Sequence, residues 1–156
     1  MDISEHRHIL NKKQQSALLK LINKKLVRVP ADPGKYYPGL QTYADLHLSK
    51  ELQPLIKSLK DYIHESFIIT KCWANHTDGG YTSWHSHTAD LSVVYYLKNK
   101  ESLGTLFKVN NKIISFKAPE NSLIIFKHQT HSVPPRKKGT PKLNRYSIAF
   151  EISIKK

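Results

Sequence analysis

Residues 82–97 read Thr82-Ser83-Trp84-His85-Ser86-His87-Thr88-Ala89-Asp90-Leu91-Ser92-Val93-Val94-Tyr95-Tyr96-Leu97, and two kinds of chemistry meet in them. The second half, Leu91–Leu97, is a near-continuous apolar and aromatic run with β-branched residues at its centre. That composition predicts a strand covered on both faces, and hence a central one. The first half carries His85-x-His87. On a strand, residues i and i+2 project from the same face, so both imidazoles can reach one metal ion.

Outward from this stretch the chain keeps a β texture: short segments rich in β-branched and aromatic residues, each ended by turn residues. Upstream, Ile68–Asn75 reads as a strand followed by the turn Thr77-Asp78-Gly79-Gly80. Downstream, Gly104–Asn110 and Lys112–Lys117 read as a hairpin around Asn110-Asn111, Ser122–Phe126 as a strand, and Arg145–Ile154 as the last one. With short strands around His85 and His131 the total is about eight, which predicts a sandwich or jelly roll.

The first third is helical in pattern. Ala17, Leu18, Leu21 and Ile22 form an amphipathic stripe over Asn11–Asn23, with Asn11 as N-cap. Pro30-Ala31-Asp32-Pro33-Gly34 must be loop, and Tyr36, Tyr37 and Tyr43 follow it, where they could line a substrate mouth. A second helix is expected over Ser49–Ser66, with Leu52, Leu55, Ile56, Leu59 and Ile63 on its apolar face, Ser49 as cap and Pro54 tolerated near the start. The expectation is a single domain, 1–156: a helical support region over 1–66, packed on one face of a mainly β double-stranded β-helix over 67–156.

Composition narrows the function classes. Cys72 is the sole cysteine, which excludes an internal disulfide and a cysteine-based zinc site and marks it as a core residue. The start, Met1 to His6, is polar and has no signal-peptide core, and no apolar run of about 18 residues occurs. An intracellular, cytoplasmic protein is expected, with no membrane partner. The net charge is +13, with basic clusters such as Arg136-Lys137-Lys138. Such a field attracts polyanions or acidic proteins, but no helix-turn-helix, RNP or zinc-finger spacing accompanies it.

Among nine histidines, His131 is the best third ligand for the His85–His87 pair. It follows the apolar Ser122–Phe126 strand and precedes Pro134-Pro135, a rigid setting. Three ligands on one face of an octahedron leave positions open for a chelating cosubstrate and O₂. Asp90 is an alternative third ligand if the strand bends, and water is another. His76-x-Asp78 and His128 are weaker candidates by position. Arg145 and Ser147 share a strand face, opposite Tyr146, Ile148 and Phe150. An arginine pointing into a barrel requires an anion, either an acidic side chain such as Glu151 or Asp90 or a bound carboxylate.

Taken in order, Trp73-Ala74-Asn75, Gly79-Gly80, His85-Ser86-His87, Leu91–Leu97, Leu123–Phe126, His131-Ser132-Val133 and Arg145–Phe150 resemble the Fe(II)/2-oxoglutarate dioxygenase superfamily. The likeness is greatest to its prolyl-hydroxylase-like members and to 2-oxoglutarate oxygenases of microbes and viruses. The resemblance spans about half of the chain, from Cys72 to Glu151. It implies Fe(II), 2-oxoglutarate and O₂ as cofactor and cosubstrates, with ascorbate as a stimulant, and hydroxylation of an unactivated C–H bond. It implies His85 as the first iron ligand and His131 as the last, Arg145 with Ser147 at the far carboxylate of 2-oxoglutarate, the Tyr96 hydroxyl joining them, and Asn75 reaching the cosubstrate. The superfamily pattern has His-x-Asp where this chain has His85-x-His87. The Arg145-x-Ser147 motif follows His131 by a longer surface turn, Arg136–Leu143.

The implied substrate is a protein or peptide, a prolyl residue first, with a small molecule or nucleic acid as alternatives, and the chain is expected to act as a monomer or homodimer. Two rival readings are a three-histidine cupin-type dioxygenase without 2-oxoglutarate, which leaves Arg145 unexplained, and a non-enzymatic basic nucleic-acid-binding module.

Overall fold

A computed structural model of the chain describes residues 3–28, 40–77, 82–100, 104–133 and 144–156. The strands are β1 (Ile3–Arg7), β2 (Val27–Arg28), β3 (Leu40–Gln41), β4 (Phe67–Thr77), β5 (Thr82–His85), β6 (Leu91–Lys98), β7 (Thr105–Val109), β8 (Lys112–Phe116), β9 (Ser122–Phe126), β10 (Thr130–Val133) and β11 (Arg145–Ile154). The helices are α1 (Lys12–Lys25) and α2 (Gln53–Tyr62). The Pro30–Gly34 loop, Tyr36, Tyr37, the turn residues 78–80 and the Arg136–Leu143 stretch lie outside the described residues.

The strands form two antiparallel sheets, one ordered β1-β9-β6-β11-β4-β3-β2 and the other β5-β10-β7-β8. From β4 onward the chain passes back and forth between them: β4, β6, β9 and β11 form the heart of the larger sheet and β5, β7, β8 and β10 the smaller. This alternation is the double-stranded β-helix, and its eight strands match the number read from turn spacing. β6 lies between β9 and β11, as its apolar run requires. Its residues divide between two cores. Val93, Tyr95 and Leu97 join Leu18, Ile22, Leu55 and Leu59 in the layer between the larger sheet and the helices. Tyr96 joins Phe107, Ile124 and Phe126 between the sheets.

Local chemistry accounts for the element ends. Asn11 and Gln14 form a reciprocal capping box at the start of α1, and Lys24 and Lys25 sit in its last turn, where the helix dipole favours cations. α2 is shorter than the Ser49–Ser66 expectation. Ser49 is extended (ψ 140°) between two short 3₁₀ turns, makes no side-chain cap, and α2 starts only at Gln53 with Pro54 in its first turn. Ile63, also extended, ends it. The expected apolar face survives these changes, since Leu52, Leu55, Leu59 and Ile63 are all buried. The first 66 residues also supply β1, β2 and β3 to the larger sheet. β1 had no apolar alternation to betray it: Ile3 packs between the sheets, while His6 stacks on Tyr62 at 3.9 Å toward α2. The β7–β8 hairpin turns through Asn110 (φ 49°) and Asn111 (φ 61°), the left-handed pair that asparagine tolerates.

Candidate metal centre

β5 and β10 are antiparallel neighbours in the smaller sheet, and their register sets His131 directly opposite His85. A cross-strand pair of this kind shares one sheet face at close range. His87 lies just past the end of β5 and returns its ring to the same place. One ring nitrogen from each of His85, His87 and His131 falls within 4.8 Å of the others, a spacing that a single metal ion can bridge. The ring centroids stand 4.2 to 5.1 Å apart.

The orientation of each ring is held by its Nδ1. In His85, Nδ1 lies 2.7 Å from the Ser83 carbonyl, and in His131 it lies 2.9 Å from the Gln129 carbonyl. In His87 it lies 2.9 Å from Glu151 Oε1. A carbonyl or carboxylate oxygen only accepts, so each Nδ1 is the donor, and Nε2 is the nitrogen that a neutral ring offers a ligand. Metal-binding histidines are oriented in this manner. Phe126 (4.8 Å) and Phe107 (6.0 Å) press on the His131 ring from the interior. Burial, only partly offset by the hydrogen bond to Gln129, lowers the pKa of His131 to about 4, and burial together with His85 lowers that of His87. Both shifts favour the neutral, ligating form.

The other half of the site lies across the barrel on the larger sheet. Ser147 of β11 is in register with Asn75 of β4 on one side and Tyr96 of β6 on the other. The three therefore form a row on the inner face, with Arg145 one step along β11. Arg145 is 3% exposed. Its Nη1 donates to Ser147 Oγ at 3.4 Å, and its guanidinium lies 5.3 Å from the centre of the Tyr96 ring. Its Nε has no hydrogen-bond partner, and among the described residues no carboxylate pairs with it. Burial lowers its pKa below the usual arginine value, with Tyr96 partly offsetting this. A buried guanidinium with a vacant donor suits an anion that arrives from outside the chain.

The acidic residues weighed as partners for Arg145 are engaged elsewhere. Asp90 Oδ2 accepts from the Ile154 amide at 2.8 Å and from the Ser153 hydroxyl at 3.3 Å. Glu151 bonds His87 and lies 3.5 Å from Lys71 Nζ. Of the weaker ligand candidates, His76 stacks on Tyr146 at 4.1 Å and bonds Asn144, and His128 is exposed in a turn with φ 38°. Asp78 lies outside the described residues. Glu151 is the site residue that sequence patterns did not assign to the histidines. Its contact with His87 crosses from one sheet to the other, and no short-range spacing encodes it.

No family model matches the chain, and no curated protein matches its sequence. Solved structures do match its fold. A prolyl hydroxylase from Trichoplax adhaerens, in complex with a hypoxia inducible factor peptide fragment, superposes with a TM-score of 0.74 at 14% identity, covering 98% of this chain and 84% of that one. A viral collagen prolyl hydroxylase from Paramecium Bursaria Chlorella virus-1, as its 2OG complex, gives 0.74 at 12% identity over 97% and 96%. A 2OG-Fe(II) oxygenase family oxidoreductase from Burkholderia pseudomallei gives 0.75 at 12% identity over 97% and 85%. At such identities the likeness is one of fold, and it extends over nearly the whole chain.

Proposed function

We propose that the protein is a non-haem Fe(II) oxygenase that uses 2-oxoglutarate and O₂ to hydroxylate an unactivated C–H bond, with a prolyl residue of a protein or peptide as its first candidate substrate. The observation that carries this reading is the pairing of two incomplete sites in one barrel: three clustered imidazoles whose Nδ1 atoms are already engaged, and a buried arginine that no carboxylate among the described residues pairs with. His85, His87 and His131 would hold the iron. Arg145, Ser147 and Tyr96 would bind the far carboxylate of 2-oxoglutarate, and Asn75, in the same row, would reach its body. Iron and 2-oxoglutarate, once bound, supply oxidative decarboxylation to succinate and CO₂ coupled to hydroxylation of the substrate.

The chain's own part is placement. The Ser83 and Gln129 carbonyls keep two ligands in one tautomer. Phe107 and Phe126 exclude water behind His131. The Arg145–Ser147 pair sets the direction from which the dicarboxylate approaches the metal. A peptide substrate is supported by the prolyl hydroxylases that share the fold, one of them holding a peptide. The cupin-type reading accounts for the histidines but leaves Arg145 without a role. The nucleic-acid module accounts for the charge but leaves three oriented imidazoles without one.

The test is succinate formation from 2-oxoglutarate, followed by NMR with Fe(II) and a panel of proline-containing peptides. Iron-dependent succinate that falls to background in Arg145→Ala and in His131→Ala is expected. Iron-dependent O₂ uptake without any need for 2-oxoglutarate would replace this reading with the cupin one.

A further inference from the structure

A site of three imidazoles carries no negative charge of its own, while the ferrous ion it would hold carries two positive ones. A carboxylate stands one hydrogen bond away. Glu151 Oε1 is 2.9 Å from His87 Nδ1, and the two side chains are 14% and 21% exposed. Glu151 is not itself among the grouped ligand atoms, so in this geometry it acts through the imidazole. Its second oxygen, Oε2, is 3.5 Å from the ammonium of Lys71, which is 58% exposed. The antiparallel ladder of β11 and β4, with Glu151 in register with Lys71, fixes where the Glu151 side chain starts, and its Oε1 faces His87. Among the described residues, a carboxylate holds His87, and backbone carbonyls hold the other two rings.

We propose that Glu151 is a positioning residue of the metal centre, a carboxylate that acts on the metal at second hand by accepting a hydrogen bond from His87 Nδ1–H. This rests on the Fe(II) reading above. It accounts for how a His85-x-His87 chain can do without a directly bound carboxylate. A negative acceptor on Nδ1–H pulls the proton toward itself, makes Nε2 a stronger donor and locks the ring in place. The centre then has its negative charge in the outer layer of ligands, and the coordination positions remain free for cosubstrate.

The probe is Co(II), whose visible bands report ligand geometry without turnover. Three proteins are titrated in the full chain: wild type, Glu151→Gln and Lys71→Met. Glutamine keeps the size and the acceptor and removes the charge, and Co(II) should bind about 10- to 100-fold more weakly. The His87 Nδ1 proton of the Zn(II)-loaded protein, shifted downfield by its carboxylate acceptor, should move upfield in the same variant. Lys71→Met should bind Co(II) as tightly as wild type or more so, because the carboxylate loses a competing cation. If Glu151 served only as one half of a structural ion pair, Lys71→Met would weaken Co(II) binding in parallel with Glu151→Gln, and the proposal would fall. Equal Co(II) affinity in wild type and Glu151→Gln would also overturn it, leaving the three-histidine site intact. Failure of the wild type to take up Co(II) would overturn both this proposal and the function on which it rests.

Discussion

Arg145 carries the sharpest consequence at the scale of single residues. A buried guanidinium that no carboxylate among the described residues pairs with is a cost that a stable fold would not keep without use. Replacing it with methionine keeps much of the stem and removes the charge. The ligand-free Arg145→Met protein should therefore melt at or above the wild-type temperature, while 2-oxoglutarate with Ni(II) raises the melting point of the wild type and not of the variant. A large loss of stability with 2-oxoglutarate protection intact would assign the guanidinium to packing. His131 makes a second prediction. Its folded pKa, about 4, lies below the ordinary 6.5, so between these values the unfolded chain binds the extra proton. Stability in the metal-free protein is then full above pH 6.5 and declines as pH falls toward 4, by about 3 kcal/mol from this group. Urea midpoints at pH 7.5 and 4.5 should differ less in His131→Asn than in wild type. His85-x-His87 and Arg145-x-Ser147 were legible as short motifs because their spacing is local, although His87 lies beyond the end of β5 and not on the strand that its spacing suggested. Glu151 was not, because its partner is chosen by the stacking of two sheets.

At the scale of elements, tight joints decide where strands meet. Gly104 lies so close to the Phe116 carbonyl that an added Cβ would overlap it. Gly104→Ala must push apart the start of β7 and the end of β8, at a cost of about 1–3 kcal/mol, measurable as a lower denaturation midpoint. Asn121, with φ 63°, ties the N-terminal arm to the barrel. Its Oδ1 accepts from the Leu10 amide and the Tyr95 hydroxyl, its Nδ2 donates to the Leu10 carbonyl, and its own amide donates to the Tyr96 carbonyl. The Asn121–Leu10 joint links residues 111 positions apart and leaves no periodic trace. Periodicity did reveal β6, β9, β11 and the β7–β8 hairpin, because burial on one or both faces imprints itself on composition. It missed β1, an edge strand whose residues are mostly polar, and it overran α2, because the apolar stripe continues through the 3₁₀ turns before it and through Ile63 after it.

At the scale of the molecule, strand alternation between two sheets sets chain segments that are far apart in sequence on facing layers: β5 and β10 carry histidines in the smaller sheet, and β4, β6 and β11 carry polar residues in the larger. The jelly roll was readable from strand number and turn spacing; the depth at which each polar side chain lies was not. Among the described residues no helix is long and apolar enough to cross a membrane. The net charge of +13 should act on substrate capture. For prolyl peptides with acidic flanks, kcat/KM should fall as salt rises, and for neutral peptides it should stay flat, which a two-peptide salt series would show. A barrel that holds metal and 2-oxoglutarate together is tested by adding 2-oxoglutarate to the Fe(II)-loaded protein without oxygen and recording the visible spectrum. A saturable charge-transfer band that is absent in His131→Ala and in Arg145→Ala is the predicted result. Bound iron that gives no such band at any 2-oxoglutarate concentration would contradict it.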